Sequence, residues 1–227
     1  MTMSQIGNKE VFMYVSSIKL SANWWVEAKE ERRKIIGEIE ELESKFKSSL
    51  ISLKRYISLR FDSDIIYWLS SFDTSPIIDF RYNLLSILRN LASESFSMFS
   101  IYKPSPYTKG NFSIESALSL EPLRYFIAYP MKKSVDWYLL PFEEREKIMG
   151  EHIRIARTHP KNKGIRSYTT YSFGIGDYEF VVIYEAPSLP EWVEVTEALR
   201  EAKARKWVTK EEPILVGELK GLDVFLT

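Results

Sequence analysis

There is no cysteine anywhere in the 227 residues. Disulfides, thiolate catalysis and Cys-ligated zinc or iron–sulfur centres are therefore excluded, and the composition fits a reducing, cytoplasmic compartment. Histidine is almost as scarce: only two are present, His152 and His159, so any imidazole chemistry falls on one of them. Excess charge of one sign is also lacking. Lys and Arg number 31, Asp and Glu 31, and the formal net charge is zero, so no global field draws the chain onto nucleic acid or an anionic membrane. No apolar run approaches the ~20 residues that a spanning helix needs. The opening MTMSQIGNKE has no apolar core of a secretory signal. These absences predict a cytoplasmic protein whose partners include neither nucleic acid nor membrane.

What is present is apolar and aromatic. Hydrophobic residues make up 45% of the chain and aromatic residues 14%, enough to fill a substantial core. Residues 11–20 alternate and are β-branched, as in a strand. A polar cap at Ser21 or Asn23 opens a helix over 24–50, where Ile35, Ile36, Ile39, Leu42, Phe46 and Leu50 recur at steps of three and four. Strands over 51–60 and 64–71, a helix over 76–91 and a strand over 95–102 follow. The turn-rich stretch from Lys103 onward breaks the pattern. The order then repeats: strand 123–131, helix 141–157, strands 166–173 and 177–185, helix 189–207, and a short strand at 213–217. Two β-α-β-β-α-β units predict an α+β fold of two ferredoxin-like halves packed as a dimeric α+β barrel. The boundaries are 1–104 for the first half, 105–121 for a linker and 122–227 for the second half. A ligand would enter between a sheet and its helices.

One stretch speaks about chemistry. A strand ends in Tyr129-Pro130-Met131-Lys132-Lys133, an aromatic pair follows at Trp137-Tyr138, and the next helix carries Ile148, Met149 and His152 on one face. A phenol, an amine and an imidazole then border one pocket. Considered alone, a histidine on an apolar helix face is more often a core residue satisfied by a backbone carbonyl. Tyr129 alone is a rim aromatic, Lys133 a solvated cation, and Trp137 and Tyr138 core residues. His159, beside Pro160 at the helix end, reads as an exposed residue or a partner of the helix dipole.

Together these words resemble the chlorite dismutase family, and within it the coproheme decarboxylases. The shared pattern is Tyr129-Pro-Met-x-Lys133, Trp137-Tyr138-x-Leu140, Glu143-Glu144-Arg145 through Met149-x-x-His152, and Gly174-x-x-Asp177-Tyr178-Glu179-Phe180. Leu199-Arg200-Glu201 and Pro213-Ile214-x-x-Gly217 complete it. The first half matches more loosely, through Trp25, Glu30-Glu31-Arg32 and Asp64-x-x-x-Trp68. The resemblance implies a homopentamer that binds heme b or coproheme in its second half. It implies that His152 is the proximal iron ligand and that Tyr129 forms a radical that attacks a propionate. Lys133 would pair that propionate, and Trp137 and Met131 would lie against the porphyrin.

Three positions depart from the family pattern. The glutamate that accepts from the proximal imidazole is replaced by Lys203, with Glu201 as the candidate substitute. The region that carries a propionate-binding arginine reads Glu115-Ser116-Ala117. The distal arginine has only Arg166 as a counterpart, within Arg166-Ser167-Tyr168-Thr169. The expected function is an oxidoreductase that decarboxylates coproheme with hydrogen peroxide. The alternatives are chlorite dismutation or a weak heme peroxidase, and a heme carrier, sensor or heme-free pentamer.

Overall fold

The computed structural model describes residues 10–107 and 113–227. The first nine residues of the expected first half, and residues 108–112 of the expected linker, lie outside the described residues. The chain runs β1 (Val11–Leu20), α1 (Ala22–Val26), α2 (Lys29–Phe46), β2 (Ser52–Ser58), β3 (Ile65–Ser71), α3 (Ser75–Leu88) and β4 (Ala92–Tyr102). It continues through α4 (Ile114–Leu118), β5 (Tyr125–Lys133), α5 (Val135–Leu139), α6 (Phe142–Thr158), β6 (Arg166–Gly176), β7 (Tyr178–Ala186), α7 (Leu189–Arg200), β8 (Val208–Lys210) and β9 (Leu215–Glu218).

Both halves lay their four main strands in the same antiparallel order. In the first it is β2-β3-β1-β4, in the second β9-β5-β7-β6, the ferredoxin-like arrangement that the sequence predicts. The halves do more than pack face to face. Their sheets join edge to edge, β4 to β6 through Ile101 and Tyr171, and β2 to β9 through Ile57–Glu218 and Ser58–Gly217. These eight strands thereby close into a barrel, which leaves them no exposed edge to template aggregation. At the β2–β9 seam only glycine fits: a Cβ on Gly217 would lie 2.8 Å from the Tyr56 Cβ.

The barrel interior is filled by Val11, Met13, Val15, Tyr56, Trp68, Phe126, Tyr168, Val181 and Ile183, among others. A carboxylate is buried at one end. Glu185 accepts from Lys54 Nζ at 3.0 Å to both oxygens, from the Tyr56 hydroxyl at 2.9 Å and from the Leu123 N–H at 3.2 Å. The helices lie outside the barrel, two against each half's sheet.

Several sequence expectations shift. The helix expected over 24–50 is two helices, broken at Glu27-Ala28, where both residues are extended. Trp24 is fully buried, while Trp25 and Val26 face outward, so seating that one indole turns the chain without any Gly or Pro. The helix expected over 189–207 ends at Arg200. Ala202 is extended, and a separate 3-10 turn over Lys203–Trp207 follows, with Ala202 and Ala204 both buried. The Trp137-Tyr138 pair lies on α5, and a short helix, α4, forms within the 105–121 stretch. The strand expected over 123–131 is displaced by two residues, to Tyr125–Lys133.

Candidate functional site

Alternation along β5 decides which side chains meet the helices. Phe126 and Ala128 enter the barrel core, so Ile127, Tyr129, Met131 and Lys133 face α6 and α7. Pro130 lacks a donor, yet it sits where neither neighbour on one side reaches β5. Pairing with β9 ends at Ala128, and pairing with β8 begins at Lys132. The tolerated proline thus sits between the two ladders. On β7, Phe180, Val182 and Tyr184 pair with Met131, Tyr129 and Ile127 and share their face.

Above this floor the second half buries far fewer apolar side chains than the first. In the first half, the layer between sheet and helices contains twenty-one buried apolar residues, from Tyr14 to Phe225. The corresponding cluster in the second half contains three, Trp137, Ile148 and Ala204. Helices α2 and α3 bury seven and four residues, whereas α6 and α7 bury one each, Ile148 and Val195. An amphipathic helix is held by its apolar face, and α6 leaves much of that face without protein against it.

His152, Met149 and Ile148 share that face of α6. The His152 Nδ1 is buried and has no hydrogen-bond partner among the described residues. Desolvation, then the positive charges of Lys133 and Arg205, hold the imidazole below its ordinary pKa, so it is neutral at pH 7. Lys133 reaches under the helix. Its Nζ lies 3.3 Å from the centroid of the Trp137 ring and 4.0 Å from the Met149 sulfur. Desolvation, with Arg145 and Arg205 nearby, pushes its pKa down to about 8. Arg145 also has a buried Nε without a partner among the described residues. The Glu179 carboxylate accepts from the Lys133 backbone N–H at 2.9 Å, and no carboxylate among the described residues pairs with the Lys133 ammonium.

At the other end, the Tyr129 ring stacks on Tyr184 with centroids 6.2 Å apart. Burial pushes the Tyr129 phenol well above its usual range, with Tyr184 and Glu211 adding to the effect. Glu211 accepts from Arg200 at 2.8 Å and from both terminal nitrogens of Arg205 at 2.6 and 2.9 Å. Although desolvation is the largest influence on Glu211 and opposes it, the two guanidiniums hold its carboxyl below the usual range.

The structure therefore brings Tyr129, Met131, Lys133, Trp137 and His152 to one space. It does not bring Arg166 there. Arg166 pairs across the sheet with Glu185, approaches that carboxylate at 3.3 Å and donates to the Glu121 carbonyl at 2.8 Å. Both Glu201 and Lys203 are exposed, and the Lys203 N–H donates to Glu151 at 3.3 Å; neither partners His152. Glu115 and Ser116 are exposed on α4. His159 caps the following turn by accepting from the Lys161 N–H at 3.2 Å. Arg145 of α6, Tyr184 of β7, and Arg205 and Glu211 after Arg200 also border this space, and sequence reasoning missed them: cross-strand register places Tyr184, the path after Arg200 places Arg205 and Glu211, and the packing of α6 places Arg145.

The family model described as chlorite dismutase matches residues 31–220. The coproheme decarboxylase of Mycolicibacterium smegmatis is 32% identical over 163 residues, 70% of this chain and 68% of that protein. The solved structure of TA0507, provisionally described as a chlorite dismutase, is 45% identical, covers 96% of this chain and 98% of its own, and superposes with a TM-score of 0.87. A heme-binding protein from Thermus thermophilus shares the fold at 18% identity, covering 95% and 94% of the two chains with a TM-score of 0.83.

Proposed function

Because this chain belongs to the chlorite dismutase family, we propose that it is an oxidoreductase that binds iron coproporphyrin and converts its propionates to vinyl groups, with hydrogen peroxide as oxidant. The observation that carries this reading is the sparsely filled layer over β5 and β7, with a neutral imidazole on one wall, the desolvated Lys133 against Trp137, and an Arg145 Nε without a partner among the described residues. Among the described residues no group of three or more His, Asp or Glu could hold a bare metal ion. Iron would come held in a porphyrin, with the His152 imidazole as the protein group that would hold it. The relative from M. smegmatis is named for this reaction, and the T. thermophilus neighbour for heme binding.

His152 would hold the iron, and Met131 and Trp137 would line the ring. Lys133, a buried cation without a carboxylate partner among the described residues, would pair a propionate. When bound, the iron porphyrin supplies the oxidising equivalents drawn from peroxide. The chain's part is then hydrogen transfer. The Tyr129 phenol, kept protonated by burial, loses a hydrogen atom and recovers one from the propionate carbon attached to the ring. Loss of one further electron releases carbon dioxide and leaves the vinyl group. Chlorite chemistry is disfavoured because Arg166 is engaged with Glu185 on the other face of the sheet. A heme carrier is the second reading, favoured by the unpartnered His152 Nδ1. The assembly proposed is a ring of five copies, for which exposed Val26, Phe61 and Leu139 supply apolar surface.

The test is coproheme titration followed by peroxide, with product mass recorded over time. Wild type should lose one and then two carboxyl groups. Tyr129→Phe should bind and lose none, His152→Ala should not bind, and His159→Ala should behave as wild type. Binding through His152 without any mass loss would remove the decarboxylase reading and leave the carrier.

A further inference from the structure

Beyond Tyr129 the aromatic rings continue. Tyr184 stacks on it at 6.2 Å between centroids, and Trp192 lies against Tyr184 at 5.1 Å and 43°. Both separations are those of rings in direct contact. The three residues run from the sheet face under α7 to α7 itself. Tyr129 and Tyr184 are on adjacent strands, β5 and β7, and Trp192 is in the first turns of α7. Trp192 is half-buried, and its neighbour Val193 is 59% exposed, so the file ends where water and small solutes reach it. Pro190 and the Ser188 cap, which accepts from the Glu191 N–H, fix the start of the helix and hence the indole's position. Neither Tyr184 nor Trp192 has a part in the hydrogen transfer derived above.

We propose that Tyr129, Tyr184 and Trp192 form an outlet that carries an oxidising equivalent from the buried site to the surface of α7, where small electron-rich reductants such as phenols or enediols are oxidised. This rests on the reading of Tyr129 as the residue that becomes a radical, and it adds a second, peroxidase-type activity at a separate place on the molecule. Electron transfer weakens steeply with distance, so two contacts between rings are far faster than one jump from Tyr129 to solvent.

The oxidant is hydrogen peroxide acting at the bound iron porphyrin, which leaves Tyr129 without one electron and its phenolic proton. Tyr184 passes an electron and its own phenolic proton to the Tyr129 oxygen, restoring the first phenol. Trp192 passes an electron to Tyr184, which regains a proton from water, while the indole N–H proton leaves to water. The dissolved reductant returns one electron and one proton to Trp192. Burial holds the Tyr184 phenol above its ordinary pKa, so its proton must move together with its electron, and Tyr129 is the neighbour with a place for it. When a propionate occupies the site, Tyr129 is consumed by that hydrogen transfer instead. When none does, the outlet drains the oxidant before it attacks the pocket.

Two measurements test this. In the porphyrin-free protein, azide radicals generated by pulse radiolysis oxidise tryptophan. Wild type should show an indolyl-to-phenoxyl conversion whose rate is independent of protein concentration, and its amplitude should fall in both Trp192→Phe and Tyr184→Phe. Equal amplitudes in all three proteins would overturn the path. In the second measurement the protein is loaded with ferric protoporphyrin, treated with peroxide without reductant, and digested for peptide mass mapping. Oxygenated Trp192 is expected in wild type and several-fold less in Tyr184→Phe, with Trp25, exposed but off the file, unchanged. Trp192 oxidation insensitive to Tyr184→Phe would overturn the proposal. Should Tyr184→Phe not fold, Trp192→Phe serves alone: its peroxide-driven oxidation of guaiacol should fall several-fold, and an unchanged rate would overturn the outlet. If no porphyrin binds at all, the proposed function and the outlet fall together, while the first measurement still decides whether the rings conduct.

Discussion

A lysine that the protein holds in an apolar slot at a cost is the most telling single residue. Lys133 is 6% exposed, lies against Trp137 and Met149, and has no carboxylate partner among the described residues. Its pKa is pushed down to about 8 from 10.5, which corresponds to about 3 kcal/mol of instability in the charged form. The unfolded chain keeps this proton up to about pH 10.5, the folded chain only to about 8. Between those values the unfolded state binds more protons, so stability rises with pH. Below pH 8 the penalty is fully present. Lys133→Met, close in shape and uncharged, should therefore be more stable than wild type at pH 7, and the gap should close as pH rises from 8 to 10. Guanidinium denaturation at several pH values measures this. A gap that stays constant would mean that Lys133 carries no buried-charge penalty. The default reading of Lys133 as a solvated loop cation thus gives way to a buried one. Sequence shows the residue type and its place after Met131, but not the helix that closes over it.

At the scale of elements, the strands and helices were legible because their periodicities are strong, and the joins were not. The stripe Ile35, Ile36, Ile39, Leu42 and Phe46 is all buried, as spacing requires. The break before it depends on how Trp24 packs, and no local breaker marks it. The same limit hid the second half's site. Tyr184 meets Tyr129 only because β7 pairs with β5 in one register, and a shift of one residue would turn it into the barrel. A related motif is visible in the first half, where Tyr14 of β1 and Arg81 of α3 both bind Glu94 of β4, much as Tyr129, Arg200 and Glu211 gather in the second. There α3 packs tightly down; here α7 stands off. The clasp at Glu185 joins β2, β6 and β7 across the two halves. Replacing it by glutamine removes the charge that Lys54 and Arg166 face, with Lys54 already held below its ordinary pKa by desolvation. Breaking a buried pair on one side costs about 3–5 kcal/mol, so Glu185→Gln should lower the urea midpoint accordingly. A loss below about 1 kcal/mol, the scale of exposed pairs, would show that the clasp is dispensable.

For the whole molecule, duplication gives an internal reference: two halves of one topology, one densely filled with apolar side chains and the other only sparsely. The layer under α2 and α3 is densely packed with apolar side chains, and the C-terminal turn, Leu222–Leu226, adds Leu222 and Phe225 to it. Under α6 and α7 the corresponding space is bounded by Tyr129, Lys133, Trp137 and His152. Local opening is governed by how much apolar contact an element makes, so without porphyrin α6 and α7 should exchange their amide hydrogens at lower protection than α2 and α3. A ligand that binds only the folded state at 100 times its Kd adds about 2.7 kcal/mol. At about 2–4 °C per kcal/mol for a chain of this size, Tm should rise by about 5–10 °C. Hydrogen exchange read by mass spectrometry, with and without ferric coproporphyrin, separates local from global effects. Protection should increase in α6, α7 and the end of β5, while α2 and α3 should change little. If α2 and α6 were equally protected in the free protein, or if porphyrin protected both halves alike, the second half would not be the sparsely packed one and His152 would be an ordinary buried histidine.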